Sequence, residues 1–207
     1  MFKKVIFFLL NLSTVSYAMS LSVPIEHTSD YQVISFFNTH KTVQKLNQES
    51  LPQPYRYLLS QPLLTPALKK YYQQKPIIQT LMANKNIYEQ TYSRTIVMLI
   101  NKNKKSNILN SKVTKVIELA FITMNFAALP EQIKNQVLHT NIPFGQLLLN
   151  YDIKITTQGR TYFAMQCDEA LLALTNCEKD KKLYGRTNTI INIANNRWLA
   201  HVVEILI

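Results

Sequence analysis

The sequence predicts an α+β protein: a single, largely antiparallel sheet with helices packed on it. Three observations carry this. Short helical segments punctuated by proline come before residue 76. Apolar, β-branched runs of strand length dominate after it. The regular strand–helix alternation that a parallel sheet needs is missing.

The elements follow in order. Met1-Phe2-Lys3-Lys4 is a basic head, Val5 to Leu12 is apolar apart from Asn11, and Ser16 and Ala18 place small residues where a signal peptidase reads. Residues 1–18 therefore read as a secretory leader cut after Ala18. An uncleaved anchor or a buried helix are the alternatives, but the apolar stretch is about half of the ~20 residues that span a bilayer. No later segment is long and apolar enough to span. The expected mature chain starts at Met19 and is exported, to the periplasm or out of the cell.

Residues 19–50 form a polar N-terminal segment, with one short helix around Val33 to Leu46. Residues 51–207 form the folded domain, large enough for a real core. Prolines 52, 54, 62, 66 and 76 divide its start into helices at about 54–60 and 65–74. The second takes Thr65 as N-cap and Pro66 at its first position. Ile77-Ile78, Thr91 to Ile100 and Val113 to Phe126 read as strands, with a polar, basic turn region over Asn101 to Asn110. Leu129 to Leu138 is a helix, with Pro130 near its start and Glu131 favourable in its first turn. Ile142 to Asn150 is an apolar turn and short helix. Asp152 to Gln166 alternates but breaks at Gly159, so it is one long strand or a hairpin. Tyr184 to Ala194 and Arg197 to Ile207 form a hairpin about Asn195-Asn196.

Charge and composition exclude several functions. The formal charge is +11, and +9 once Lys3 and Lys4 leave with the leader. Such a charge favours anionic ligands and surfaces. The basic residues are scattered rather than clustered with aromatics on one face, which argues against nucleic acid as partner. Three glycines leave no phosphate-cradling motif. Two cysteines, Cys167 and Cys177, fit one disulfide in an oxidising compartment. No histidine stands near enough to make them a zinc site, and His139 and His201 are distant partners for a catalytic thiol.

Four charged residues stand in apolar strand contexts: Arg94, Glu118, Arg186 and Glu204. Alternate residues of a strand share a face, so Arg94 points with Ile96 and Met98, and Glu204 with Val202 and Leu206. If those partners face the core, a guanidinium and a carboxylate enter one interior and can grip a small anion at two ends. The other possibility is that both point outward as charged gatekeepers on a sheet edge.

Six short segments follow one another from Leu58 onward: Leu58 to Thr65, Ser93 to Val97, Leu119-Ala120, Ile142 to Gly145, Leu183 to Arg186 and Val203 to Ile205. Over them the chain resembles the chorismate lyase (chorismate pyruvate-lyase) family. Leu58 to Thr65 resembles the family's Leu-Leu…Ser-Met-Thr segment, and Ser93-Arg94-Thr95-Ile96-Val97 its arginine-bearing strand. Leu119-Ala120 matches the next strand. Ile142-Pro143-Phe144-Gly145 is similar to its Pro-Leu-Gly turn, Leu183-Tyr184-Gly185-Arg186 to its Leu-Trp-Gly-Arg, and Val203-Glu204-Ile205 to its final Thr-Glu-Leu-Phe.

The resemblance implies a chorismate lyase-like fold with the ligand enclosed beneath flaps. It implies elimination of pyruvate from chorismate, or a similar enolpyruvyl ether, to give a hydroxybenzoate, with no metal and no cofactor. The alternative is a binding protein for a small aromatic carboxylate that has kept the fold without turnover. Arg94 would grip the ring carboxylate, helped by the backbone amide of Phe144 before Gly145. Glu204 would bond the ring-oxygen end and assist proton movement, and Leu64 would line the apolar wall. Arg186 would either hold the end of the sheet or meet the second carboxylate. The sequence departs from the family at Phe121-Ile122, where glycine and arginine are usual, and a ring there would reshape the pocket. Cys167 and Cys177 fall in a stretch longer than the family's, which their bond would staple. Export also conflicts with a substrate made in the cytosol.

Overall fold

A computed structural model describes residues 43–102 and 114–207. The expected leader, most of the expected N-terminal segment and most of the expected Asn101 to Asn110 turn lie outside the described residues. So does most of the helix expected around Val33 to Leu46, but its last residues are not helical. Gln44–Leu46 is a strand, β1, paired with residues 162–164. That pairing with an otherwise open sheet edge overrides local propensity.

Two helices follow, α1 (Tyr55–Ser60) and α2 (Leu64–Tyr72). The second starts earlier than Thr65 would place it: Leu63 is its cap residue, without a side-chain cap bond. Pro66 still falls in the first turn, where no amide needs a helical partner. Next come β2 (Ile77–Asn86), β3 (Thr91–Asn101), β4 (Thr114–Asn125), α3 (Glu131–His139) and α4 (Phe144–Asn150). The chain ends with β5 (Ile155–Gln166), α5 (Glu169–Thr175), β6 (Lys182–Asn192) and β7 (Trp198–Leu206). The break at Gly159 is a bulge within one strand, not a hairpin: pairing shifts between Gln158 and Thr161, and Gly159 has φ +62°.

Among the described residues, seven strands form one sheet in the order β1–β5–β6–β7–β4–β3–β2, every neighbouring pair antiparallel. β7 is therefore the central strand, and β3 is covered on both sides. Arg94 and Glu204 are not edge gatekeepers.

The two faces carry separate cores. One packs Ile96, Met98, Ala120, Ile122, Val202 and Leu206 against α1 to α4 through Leu58, Leu59, Leu64, Leu68, Ile133, Val137, Phe144 and Leu147. The other packs Val97, Leu119, Phe163, Met165, Leu183, Val203 and Ile205 against Leu171 of α5. α5 lies within the cysteine stretch, and its start is capped by Asp168, whose carboxylate accepts from the Leu171 amide at 2.9 Å. The Cys167–Cys177 disulfide brackets this helix, with α-carbons 6.2 Å apart, and both sulfurs belong to the second core. No helix among the described residues is long and apolar enough to cross a membrane.

Candidate functional site

Strand register settles which charged residues meet. Arg94, Ile122, Val202 and Asn188 lie in one row across β3, β4, β7 and β6. The next row holds Ile96, Ala120, Glu204 and Arg186, and the one after it Met98, Glu118, Leu206 and Tyr184. The apolar members of all three rows belong to the helix-covered core. All four charged residues therefore enter the same interior, as the period-two reading of Arg94 and Glu204 predicts.

They are not equivalent. Glu204 accepts from its cross-strand neighbour: Arg186 Nε donates to Glu204 Oε2 at 2.5 Å. The Arg186 side chain is 1 % exposed. Its Nη1 donates to the carbonyl of Leu59 at 2.8 Å and also to that of Gln61. From β5, Arg160 donates to the carbonyls of Ser60 at 2.6 Å and Gln61 at 3.3 Å. The end of α1 leaves carbonyls without helical partners, and cations suit them. Two arginines thus clasp the α1–α2 connection onto the sheet. Arg186 ties the middle of β6 to this connection, and its fork also fixes the Glu204 carboxylate. Arg160 gave no sequence signal, because its carbonyl partners lie about a hundred residues away in the chain.

Arg94 has less to hold. It is 3 % exposed, and its Nη2 reaches the Ile142 carbonyl at 3.4 Å, while Nε has no partner. Burial pulls its pKa down from the ordinary arginine value, with Tyr92 opposing the shift. Ile142 precedes Pro143 and Phe144, so the Arg94 guanidinium lies beside the turn that opens α4. The Phe144 ring is buried in the same core, and Leu64 packs there from α2. Gly145 permits close contact between α4 and Leu63: an added β-carbon would stand 3.2 Å from Leu63 Cδ2. Arg94 and Glu204 sit two strand spacings and one pleat apart, about 12 Å between α-carbons, so neither replaces the other's partner.

Phe121 does not shape this region. It points to the opposite face, packed on the second core, and pairs with Thr95 and Val203. Ile122 is the residue that enters the site face, between Arg94 and Val202. A one-residue step along a strand reverses the face, so the ring expected to reshape the pocket leaves it untouched.

Glu118 is 1 % exposed, and its Oε2 has no partner. Burial pushes its carboxyl well above the usual range, nearby Glu204 adds to the rise, and Arg186 opposes it. A carboxyl whose native pKa exceeds its unfolded one, near 4.5, binds its proton more tightly in the folded state. Its contribution to stability is complete below about that pH and is lost as pH rises through the native value. Glu118→Gln is therefore expected to stabilise the protein at pH 7.5 and to lose that advantage towards pH 4. Urea unfolding midpoints at the two pH values check this, and an equal difference at both would refute it.

Among the described residues no group of three or more His, Cys, Asp or Glu side chains is placed to hold a metal ion. An open groove of about 600 Å³ runs beside β1 and β5, lined by Gln44 to Ser50 and Arg160 to Tyr162. It lies across the sheet from the strand of Arg94.

No protein-family profile and no curated protein matches the chain in sequence. Solved structures do match. The chain is similar to PhnF from Mycobacterium smegmatis, with 9 % identity and a TM-score of 0.50 over 72 % of this chain and 64 % of PhnF. It is also similar to the ligand-binding domain of a GntR-family transcriptional regulator from Bordetella bronchiseptica (7 % identity, TM-score 0.45, 64 % of this chain and 85 % of that one). A GntR-family transcriptional regulator from Enterococcus faecalis V583 matches with 9 % identity and a TM-score of 0.42, over 62 % of this chain and 91 % of that one. The chain thus spans less than two thirds of PhnF. What it shares with PhnF is the fold: a single antiparallel sheet with helices packed on it, of the chorismate lyase-like type.

Proposed function

We propose that this protein binds a small aromatic or enolpyruvyl carboxylate between the sheet and α1 to α4, with Arg94 as the anion's partner. The observation that carries this is the state of Arg94: buried among apolar side chains, with one long bond to a carbonyl and an Nε donor to spare. A buried guanidinium with unmet donors is costly, and a carboxylate on its planar fork removes that cost. The Phe144 amide and Gly145 belong to the turn beside it, and Leu64 supplies apolar wall. Calorimetry with 4-hydroxybenzoate is the test. The wild type is expected to bind, and Arg94→Ala to bind about a hundredfold more weakly, the value of two charge-assisted hydrogen bonds. Equal affinity in the two proteins would remove the assignment.

The second reading is turnover: elimination of pyruvate from chorismate or a related ether, with Glu204 assisting proton movement. It is favoured by Glu204 sharing the buried face with Arg94 on the central strand. Its carboxylate is held in place by Arg186, which makes Arg186 a positioning residue in this reading. An absorbance assay with chorismate decides between the two: release of 4-hydroxybenzoate selects turnover, and binding without product selects the binding protein. We also propose export after cleavage near Ala18, supported by the Met1 to Ala18 pattern and the Cys167–Cys177 disulfide. Intact mass of the protein from the cell envelope should show Met19 as its first residue; a retained leader would refute cleavage.

A further inference from the structure

We infer that Asn188 is a specificity-determining side chain of this site, reading a hydroxyl or carbonyl group at the end of the ligand away from its carboxylate. The inference rests on the small-carboxylate reading above and names the ligand more closely. Asn188 is 4 % exposed, and neither its Oδ1 nor its Nδ2 has a partner. It points to the helix-covered face with Arg186 and Ile190. A buried amide normally satisfies at least one of its atoms within the protein. Leaving both unmet is costly and adds nothing to the fold.

Its position supplies the reason. Asn188 and Arg94 occupy the two ends of one row, with Val202 and Ile122 between them. Three strand spacings, about 14 Å between α-carbons, keep the two side chains from meeting. The floor between them is two β-branched aliphatic side chains, which suits the flat face of a ring. The cation at one end takes the carboxylate. The amide at the other both donates and accepts, so it suits a hydroxyl or carbonyl oxygen. Glu204 is the diagonal neighbour of Asn188 on β7, and its carboxylate accepts only. A ligand hydroxyl can donate to Glu204 and accept from Asn188 Nδ2. The matching ligand is a small ring acid with an oxygen function opposite its carboxylate.

Calorimetry of the mature protein with 4-hydroxybenzoate and with benzoate tests this, alongside thermal unfolding without ligand. The wild type is expected to prefer the hydroxylated acid about a hundredfold, the combined value of a neutral bond to Asn188 and a charge-assisted one to Glu204. Asn188→Leu and the smaller Asn188→Ala should each lower that preference about fivefold, the share of the neutral bond, while the bond to Glu204 keeps the rest. At least one of them should unfold at a higher temperature than the wild type, because the unmet amide is gone. If both acids bind through Arg94 and the preference is undiminished in both variants, the inference falls and the small-carboxylate reading stands. If both variants are less stable than the wild type, Asn188 is a structural residue and the inference falls as well. If neither acid binds the wild type, both readings fall together.

Discussion

Arg186→Ala is expected to cost about 3–5 kcal/mol of folding stability, the usual loss when one partner of a buried ion pair is removed. For a chain of this size that lowers the unfolding midpoint by roughly 10 °C or more. Three consequences add up. Glu204 loses the Nε donor 2.5 Å from its Oε2 and stays largely buried, at 13 % side-chain exposure. The carbonyls of Leu59 and Gln61 lose a shared donor at the end of α1. A cavity opens where a fully buried side chain stood, and the packing contacts across it are lost. Lysine should not rescue the variant, because one ammonium cannot reproduce the fork that spans β7 and the α1–α2 connection. Pairing Arg186→Met with Glu204→Gln should recover part of the loss, since the uncompensated charge is then gone. Urea unfolding of the two single variants and the double variant gives the coupling. An Arg186→Ala protein within 1 kcal/mol of the wild type would show that the clasp contributes little.

The sequence disclosed the sheet and the sharing of a face, and it did so through period-two patterning. Arg94 with Ile96 and Met98, and Glu204 with Val202 and Leu206, were legible because an apolar strand interior leaves no other place for those neighbours. The same rule, carried two residues past Arg186, reaches Asn188; the amide carries no charge and so drew no notice. Applied to Phe121, it would have placed that ring on the far face. What the sequence could not disclose was partner choice. Glu204 pairs with Arg186 rather than facing an empty gap because strand order sets β6 beside β7, and nothing local encodes that order. Arg160 is the extreme case, since backbone carbonyls are present at every residue. β1 failed for a related reason: three residues became a strand by meeting the β5 edge. The α5 helix was legible in retrospect, from Asp168 as cap and Glu169 in the first turn.

Gly185→Ala is expected to destabilise by about 3 kcal/mol, at the upper end of what overpacking costs, although Gly185 stands in an ordinary strand. The reason lies on the face opposite the site. Gly185 pairs with Phe163 on β5 and Ile205 on β7, and the Phe163 ring lies across the space where a side chain would start. An added β-carbon would stand 2.7 Å from Phe163 Cε2, closer still to Cζ, and 2.6 Å from the backbone carbonyl of Glu204. The ring cannot swing away, because Phe163 is fully buried in the second core with Met165, Leu183 and the disulfide sulfurs. The carbonyl cannot move without shifting β7 at the residue that carries the site carboxylate. Strain at Gly185 is therefore expected to reach the site through the backbone of Glu204, and Gly185→Ala should weaken 4-hydroxybenzoate binding along with stability. Shortening the ring separates the two contacts. Phe163→Leu with Gly185→Ala should cost less than the sum of the single variants by about 1 kcal/mol or more, because the ring clash is removed and the carbonyl clash remains. Strictly additive losses would mean that the carbonyl of Glu204, not the ring of Phe163, sets the need for glycine at this position.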